Sequence, residues 1–351
     1  MIRTICLGLL AAILVAPASA QVKPRVLPVS ADAPFVHANS GLTLPVALVG
    51  LPRTQVREFQ APELDVVANW IRGDDELSVY VYRSTAGSVP VWFDRAAWAV
   101  TSHEVYGTPT LTVPITPIAV PGSAVASGLI AGWTPSKGPY AGTAAAILPL
   151  GEWLVKFRYS STRGDGHTAA AVVRSAIAAL GWPATIPAAP AAQPIAACPD
   201  ALRFRGKAKA VAPDFAASML GAMLAGMPRT GKAADPVQPV REWCRDAATV
   251  PMGGVYRAGG QTDAYLLALS DSGRGMSVGP SATGILNKSS KPSWGVELFT
   301  PGTTLIYPQQ DRLPSPDQML AIANGTPTGS VTTWGKTREI TVSTESLTPK
   351  K

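Results

Sequence analysis

Four basic residues, Arg203, Arg205, Lys207 and Lys209, recur at alternate positions in the segment LRFRGKAKAV and are the side chains best placed to bind a charged partner. On an extended backbone they project from one face, while Leu202, Phe204, Ala208 and Ala210 project from the other. At a rise of about 3.3 Å per residue this makes a line of positive charge about 20 Å long. Such a line suits acidic lipid, anionic polysaccharide or an acidic protein surface; the alternative is a surface strand whose charges block unwanted pairing. Nucleic acid fits poorly, because no exposed aromatics interleave with the charges. Acid–base chemistry has one candidate. His167 follows Asp165 in a Gly-Asp-Gly-His turn, with Ser160 and Ser161 a few residues upstream, and together they are the best residues a hydrolase would have here. His167 also sits at the start of an expected helix, whose dipole disfavours a protonated ring; solvated turn residues explain the same pattern. His37, His103 and His167 lie more than sixty residues apart, and no H-x-H, H-x-x-x-H or C-x-x-C pair occurs. Neither a metal site nor a cofactor is therefore expected.

Three further motifs weaken on inspection. Gly226 to Lys232 matches G-x-x-x-x-G-K, but Ala233 stands where a Ser or Thr hydroxyl would hold Mg²⁺, and the motif follows an expected helix instead of a strand. Asp271-Ser272-Gly273 matches part of a serine-protease nucleophile segment, yet Arg274 follows it and no paired histidine segment accompanies it, so a turn is expected. Met219, Met223 and Met227 recur every four residues, a spacing that suits soft-metal binding. Phe215, Leu220 and Leu224 on or beside that face make a core stripe the better reading.

Alternation of Leu77, Val79 and Val81 with Ser78, Tyr80 and Tyr82 predicts a strand, paired across Gly73-Asp74-Asp75 with another at Leu64 to Arg72. Ser88 and Pro90 open a helix that runs to His103, strands follow between Tyr106 and Tyr159, and Thr168 to Leu180 is helical before Gly181. Strands are expected at Leu202 to Val211 and Arg338 to Ser343. Helices are expected from Asp214 to about Met227 and from Ser315 to Ala323, with short strands between them. Eleven of the fifteen residues from Pro183 to Ala197 are proline or alanine, and the stretch reads as a semi-rigid spacer. The expected fold is α+β: two mixed domains, each a mainly antiparallel sheet with two helices, at 35–182 and 198–347, joined by a Pro/Ala-rich linker at 183–197. Residues 21–34, with no hydrophobic periodicity, form a loose N-terminal segment.

Location narrows the function. Residues 1–20 have a positive start, an apolar run from Ile5 to Val15 and Ala18-Ser19-Ala20 before the cleavage point, as a signal peptide does. No later segment is long enough and apolar enough to span a bilayer, so a periplasmic or secreted protein is expected. Cys6 leaves with the leader, and in an oxidising compartment Cys198 and Cys244 should pair. Charge is balanced from residue 35 to 182, with ten Lys/Arg and ten Asp/Glu, while from 198 onward there are seventeen against twelve. These features favour a non-enzymatic exported protein that binds an acidic component of the envelope or another exported protein.

Overall fold

The computed structural model describes residues 24–211, 242–281 and 291–342. The leader, the helix expected from Asp214, the Gly226 to Ala233 segment and the three methionines all lie outside these residues. The first part of the chain contributes short strands β1 (Arg25–Val26), β2 (Phe35–Val36), β3 (Thr43–Leu44) and β4 (Ala47–Leu48). Long strands β5 (Leu51–Gln60), β6 (Asp65–Arg72) and β7 (Asp75–Arg83) follow, then helix α1 (Val89–Thr101). Strands β8 (Thr110–Ile118), β9 (Gly128–Thr134), β10 (Gly142–Leu150) and β11 (Trp153–Ser161) precede helix α2 (Gly166–Ala179). The second part contributes β12 (Ala196–Ala197), β13 (Trp243–Val250), β14 (Gly253–Ala258), β15 (Tyr265–Leu269) and β16 (Arg274–Pro280). It ends with β17 (Trp294–Phe299), β18 (Thr303–Gln310), helix α3 (Pro316–Ala323), β19 (Gly329–Thr332) and β20 (Ile340–Val342).

Two nine-stranded sheets result. The first runs β1-β5-β6-β7-β11-β10-β9-β8, with β4 also on β5, and every pairing is antiparallel. Helix α1 carries the chain from β7 to the far edge, and the β8 to β11 meander returns to close on β7. The second sheet is a meander from β12 to β20 whose only parallel pair is β12 with β13.

Both faces of the first sheet are covered. On one, Trp70, Val79 and Phe157 pack with α2 and with Leu42, Leu44 and Leu48 from the N-terminal segment. Helix α2 approaches so closely that a Cβ on Gly132 would sit 2.3 Å from the Gly166 carbonyl oxygen. On the other face Leu129, Ala131, Ala145 and Ile147 meet Trp92 and Phe93 of α1. The same cluster includes Tyr256, Leu266 and Ala268, so α1 lies between the two sheets. The opposite face of the second sheet holds Val255, Tyr265, Leu267, Met276 and Val278 with Leu202 and Met319.

The expected pair of α+β domains with two helices each is overturned: the chain is mostly β, 43% strand and 14% helix, with three α-helices among the described residues. The physical reason is that the sheets cover each other. Tyr256, Leu266 and Ala268 take the place that further helices would fill, and irregular chain covers much of the rest. Strand β5 carries no clean alternation in its sequence, because bulges between Arg53 and Gln55 and between Glu58 and Gln60 break it. Strand β13 hides behind a similar irregularity between Arg245 and Thr249. Leu202, Phe204 and Ala208 face inward as expected, but Gly206 and Ala210 are exposed, and residues 202–209 pair with no strand, so the expected strand at Leu202 to Val211 is an irregular segment. Cys198 and Cys244 are joined in a disulfide, with Cα atoms 4.9 Å apart. No helix among the described residues is long and apolar enough to cross a membrane.

Candidate functional site

Arg203, Arg205, Lys207 and Lys209 are all exposed, while Leu202 and Ala208 are buried and Phe204 is half-buried. The backbone is irregular, and Gly206 adopts φ +70, a left-handed turn that divides the charges into two pairs. An irregular surface segment ordinarily moves; this one is tied along its length. At its start the Cys198 amide donates to the Arg245 carbonyl (2.8 Å), beside the disulfide. The Arg257 guanidinium then donates to the Asp200 carbonyl, and the Leu202 amide donates to Asp246 Oδ2 at 3.1 Å. Arg257 and Asp246 form an ion pair at 3.1 Å with each side chain 1% exposed, so a fully desolvated pair anchors the segment.

The middle and end are equally fixed. Phe204 stacks edge-on against Tyr265 at 6.2 Å, and Arg312 Nη1 donates to the Arg205 carbonyl at 2.9 Å. Gln318, which closes the capping box of α3 with Ser315, accepts from the Ala208 amide at 3.2 Å. Lys209 and Asp311 exchange two bonds of 2.9 Å, one to the Asp311 carboxylate and one to the Lys209 carbonyl. Ala210 bridges Gln310 just beyond. The strap thus presents four cations, with Arg312 beside them, and none of the four has an ion-pair partner among the described residues. Asp311 is engaged by Arg312 at 3.0 Å. The backbone that carries the cations is already ordered, so the segment itself loses little freedom on binding, which is the chemical use of such an arrangement.

The acid–base candidates are not assembled. Asp165 caps α2 by accepting from the Thr168 amide (3.0 Å), which holds its carboxyl below the ordinary value. His167 is exposed, Ser161 donates to Asp75, and Ser160 bonds Tyr106 and Thr143 at 2.8 and 2.9 Å. No hydrogen bond joins His167 to either serine among the described residues. His37 is buried edge-on against Trp153, between the Ser40 hydroxyl and the Glu63 carbonyl. Burial depresses its pKa, the Glu63 carbonyl partly opposing, as in a structural histidine. His103 accepts from the Val105 amide at a short 3₁₀ turn.

Asp271-Ser272-Gly273 forms the β15–β16 turn, which docks on the first sheet. Lys156 Nζ donates to Asp271 Oδ2 and to its carbonyl at 2.9 and 3.1 Å, and lies over the Tyr80 ring at 4.2 Å. Arg95 Nε donates to the Ser270 carbonyl at 2.8 Å. Gly273 (φ +74) lies so close to Tyr82 that a Cβ would sit 2.7 Å from the ring. Lys156 was visible as a charge between Val155 and Phe157 in a buried strand, but its partner is 115 residues away. Arg257, Asp246, Arg312 and Gln318 were missed for the same reason: distant segments bring them to the strap. Comparison with known protein families, characterised proteins and solved structures finds no match, so the site is read from its own chemistry.

Proposed function

We propose that this protein is an exported, non-enzymatic binding protein, periplasmic or secreted, that attaches to an acidic component of the cell envelope through residues 202–209. The observation that carries this reading is the strap itself: an irregular segment tied down along its length, with four exposed cations that have no ion-pair partner among the described residues. Fold stability alone gives no reason to hold Arg203, Arg205, Lys207 and Lys209 in one array, because exposed charges contribute little to folding. Near an anionic surface each cation contributes roughly 1 kcal/mol, so the four together supply about 4 kcal/mol, on the order of 10³ in partition. The contribution falls with ionic strength.

The test is sedimentation of the protein with vesicles rich in phosphatidylglycerol, and retention on an immobilised polyuronate, across a salt series. Binding of the native chain should be salt-sensitive and should drop on the order of 10³-fold when all four residues become alanine. If the native chain binds neither probe, or the fourfold variant binds as well, the reading fails. Capture by an acidic protein alone would move the partner from the envelope surface to another exported protein.

A further inference from the structure

Asp65 opposes Tyr82 across β6 and β7, on the sheet face where Gly273 of the β15–β16 turn meets the Tyr82 ring, and the residue is 8% exposed. The Tyr82 hydroxyl and Arg274 Nε are buried with no hydrogen-bond partner among the described residues. The groups facing Asp65 are Tyr82 from β7, Lys156 from β11, and Asp271 and Arg274 from the docked turn and the strand it enters. Lys156 is committed to Asp271 at 2.9 Å, so the pocket holds two carboxylates around a lysine that is hydrogen-bonded to only one of them. We propose that seating of the β15–β16 turn on the first sheet is controlled by a proton on Asp65: protonated, the turn seats; ionised, it is driven toward release.

The direction follows from desolvation. Burial raises the Asp65 carboxyl from 3.8 to about 6, Arg274 and Lys156 pull it back, and Asp271 adds to the rise. Burial also pushes Asp271 up, but Lys156 and Arg158 outweigh it and hold that carboxyl below its usual value. When the turn lifts, Asp65 meets water and returns toward its ordinary range, so seating takes up a proton. Seating therefore weakens as the pH rises from about 3.8 to about 6, by up to on the order of 10²-fold, the difference between the two values taken as a power of ten, and above about pH 6 the ionised carboxyl opposes it by a constant amount. At more acid pH, protonation of Asp271 removes the partner of Lys156 and seating is lost again. Release uncovers Tyr80, Tyr82, Lys156 and Arg158, an aromatic and cationic stretch that the acidic turn otherwise covers.

Carboxyl carbon NMR on the full chain tests the proposal. Asp65 should titrate near 6, and resonances of Lys156 Nζ and of residues 270–274 should move with the same midpoint. In Asp65→Asn, which keeps the shape of the side chain, that shared titration should disappear. In Gly273→Val, whose side chain meets the Tyr82 ring, the Asp65 value should fall toward 3.8. The proposal is overturned if the turn and Lys156 do not respond to Asp65 in the native chain. It is also overturned if Asp65 stays near 6 while the turn of Gly273→Val is displaced, because its burial would then belong to the first sheet alone.

Discussion

Arg257→Met removes one side of a buried ion pair, and its effect can be worked from the bonds it breaks. Asp246 and Arg257 are each 1% exposed. Without the guanidinium, Asp246 keeps only the Leu202 and Ala248 amides, at 3.1 and 2.9 Å, to stabilise a buried negative charge. The Asp200 and Gln261 carbonyls also lose their donor. Breaking one side of a buried pair costs about 3–5 kcal/mol, far more than breaking an ordinary surface pair. Urea unfolding reads this as a midpoint lowered by roughly 1 M or more, for a slope of about 1–3 kcal/mol per molar. Adding Asp246→Asn removes the stranded charge yet leaves an oxygen for the Leu202 and Ala248 amides, so the double variant should recover most of the loss. Because Arg257 ties Asp200, the single variant should also expose Arg203 and Arg205 to trypsin under native conditions. A cost below about 1 kcal/mol, or costs that simply add in the double variant, would refute the assignment of this pair as the anchor of the strap.

Three further outcomes are expected. Reducing Cys198–Cys244, whose residues are separated by 46 positions, should lower stability by about 4 kcal/mol in the loop-entropy treatment, read as the difference between urea midpoints with and without reductant. Gly132→Ala should destabilise by about 1–3 kcal/mol, because its Cβ would lie 2.3 Å from the Gly166 carbonyl oxygen. Gly295→Ala, with no atom near its Cβ position, should change the unfolding free energy by less than about 0.5 kcal/mol.

Local periodicity was readable where one face is buried in a regular way. Strands β6 and β7 and helices α1 and α2 lie close to their expected positions, because Leu77, Val79 and Val81 or Val173, Ala176 and Ile177 point to one core. The architecture was not readable, because it rests on what covers the second face. Helix α1, VPVWFDRAAWAVT, carries large apolar groups around most of its circumference, with Asp94 and Arg95 as its only charges. That pattern signals a helix buried on two sides, yet it does not say that the second side is a sheet formed 160 residues later. Asp94 illustrates the point: its partners are Tyr256 and Arg245. The basic strap was legible from spacing alone, whereas its fastening by Arg257, Gln318 and Arg312 is entirely non-local.

The position of α1 between the sheets imposes an order on the making of the chain. All strands of the first sheet, and α1 itself, are complete well before Tyr256, Leu266 and Ala268 are synthesised. Until those residues arrive, the outward side of α1 has no sheet to lie against, and an early-folded first half exposes a sticky aromatic surface.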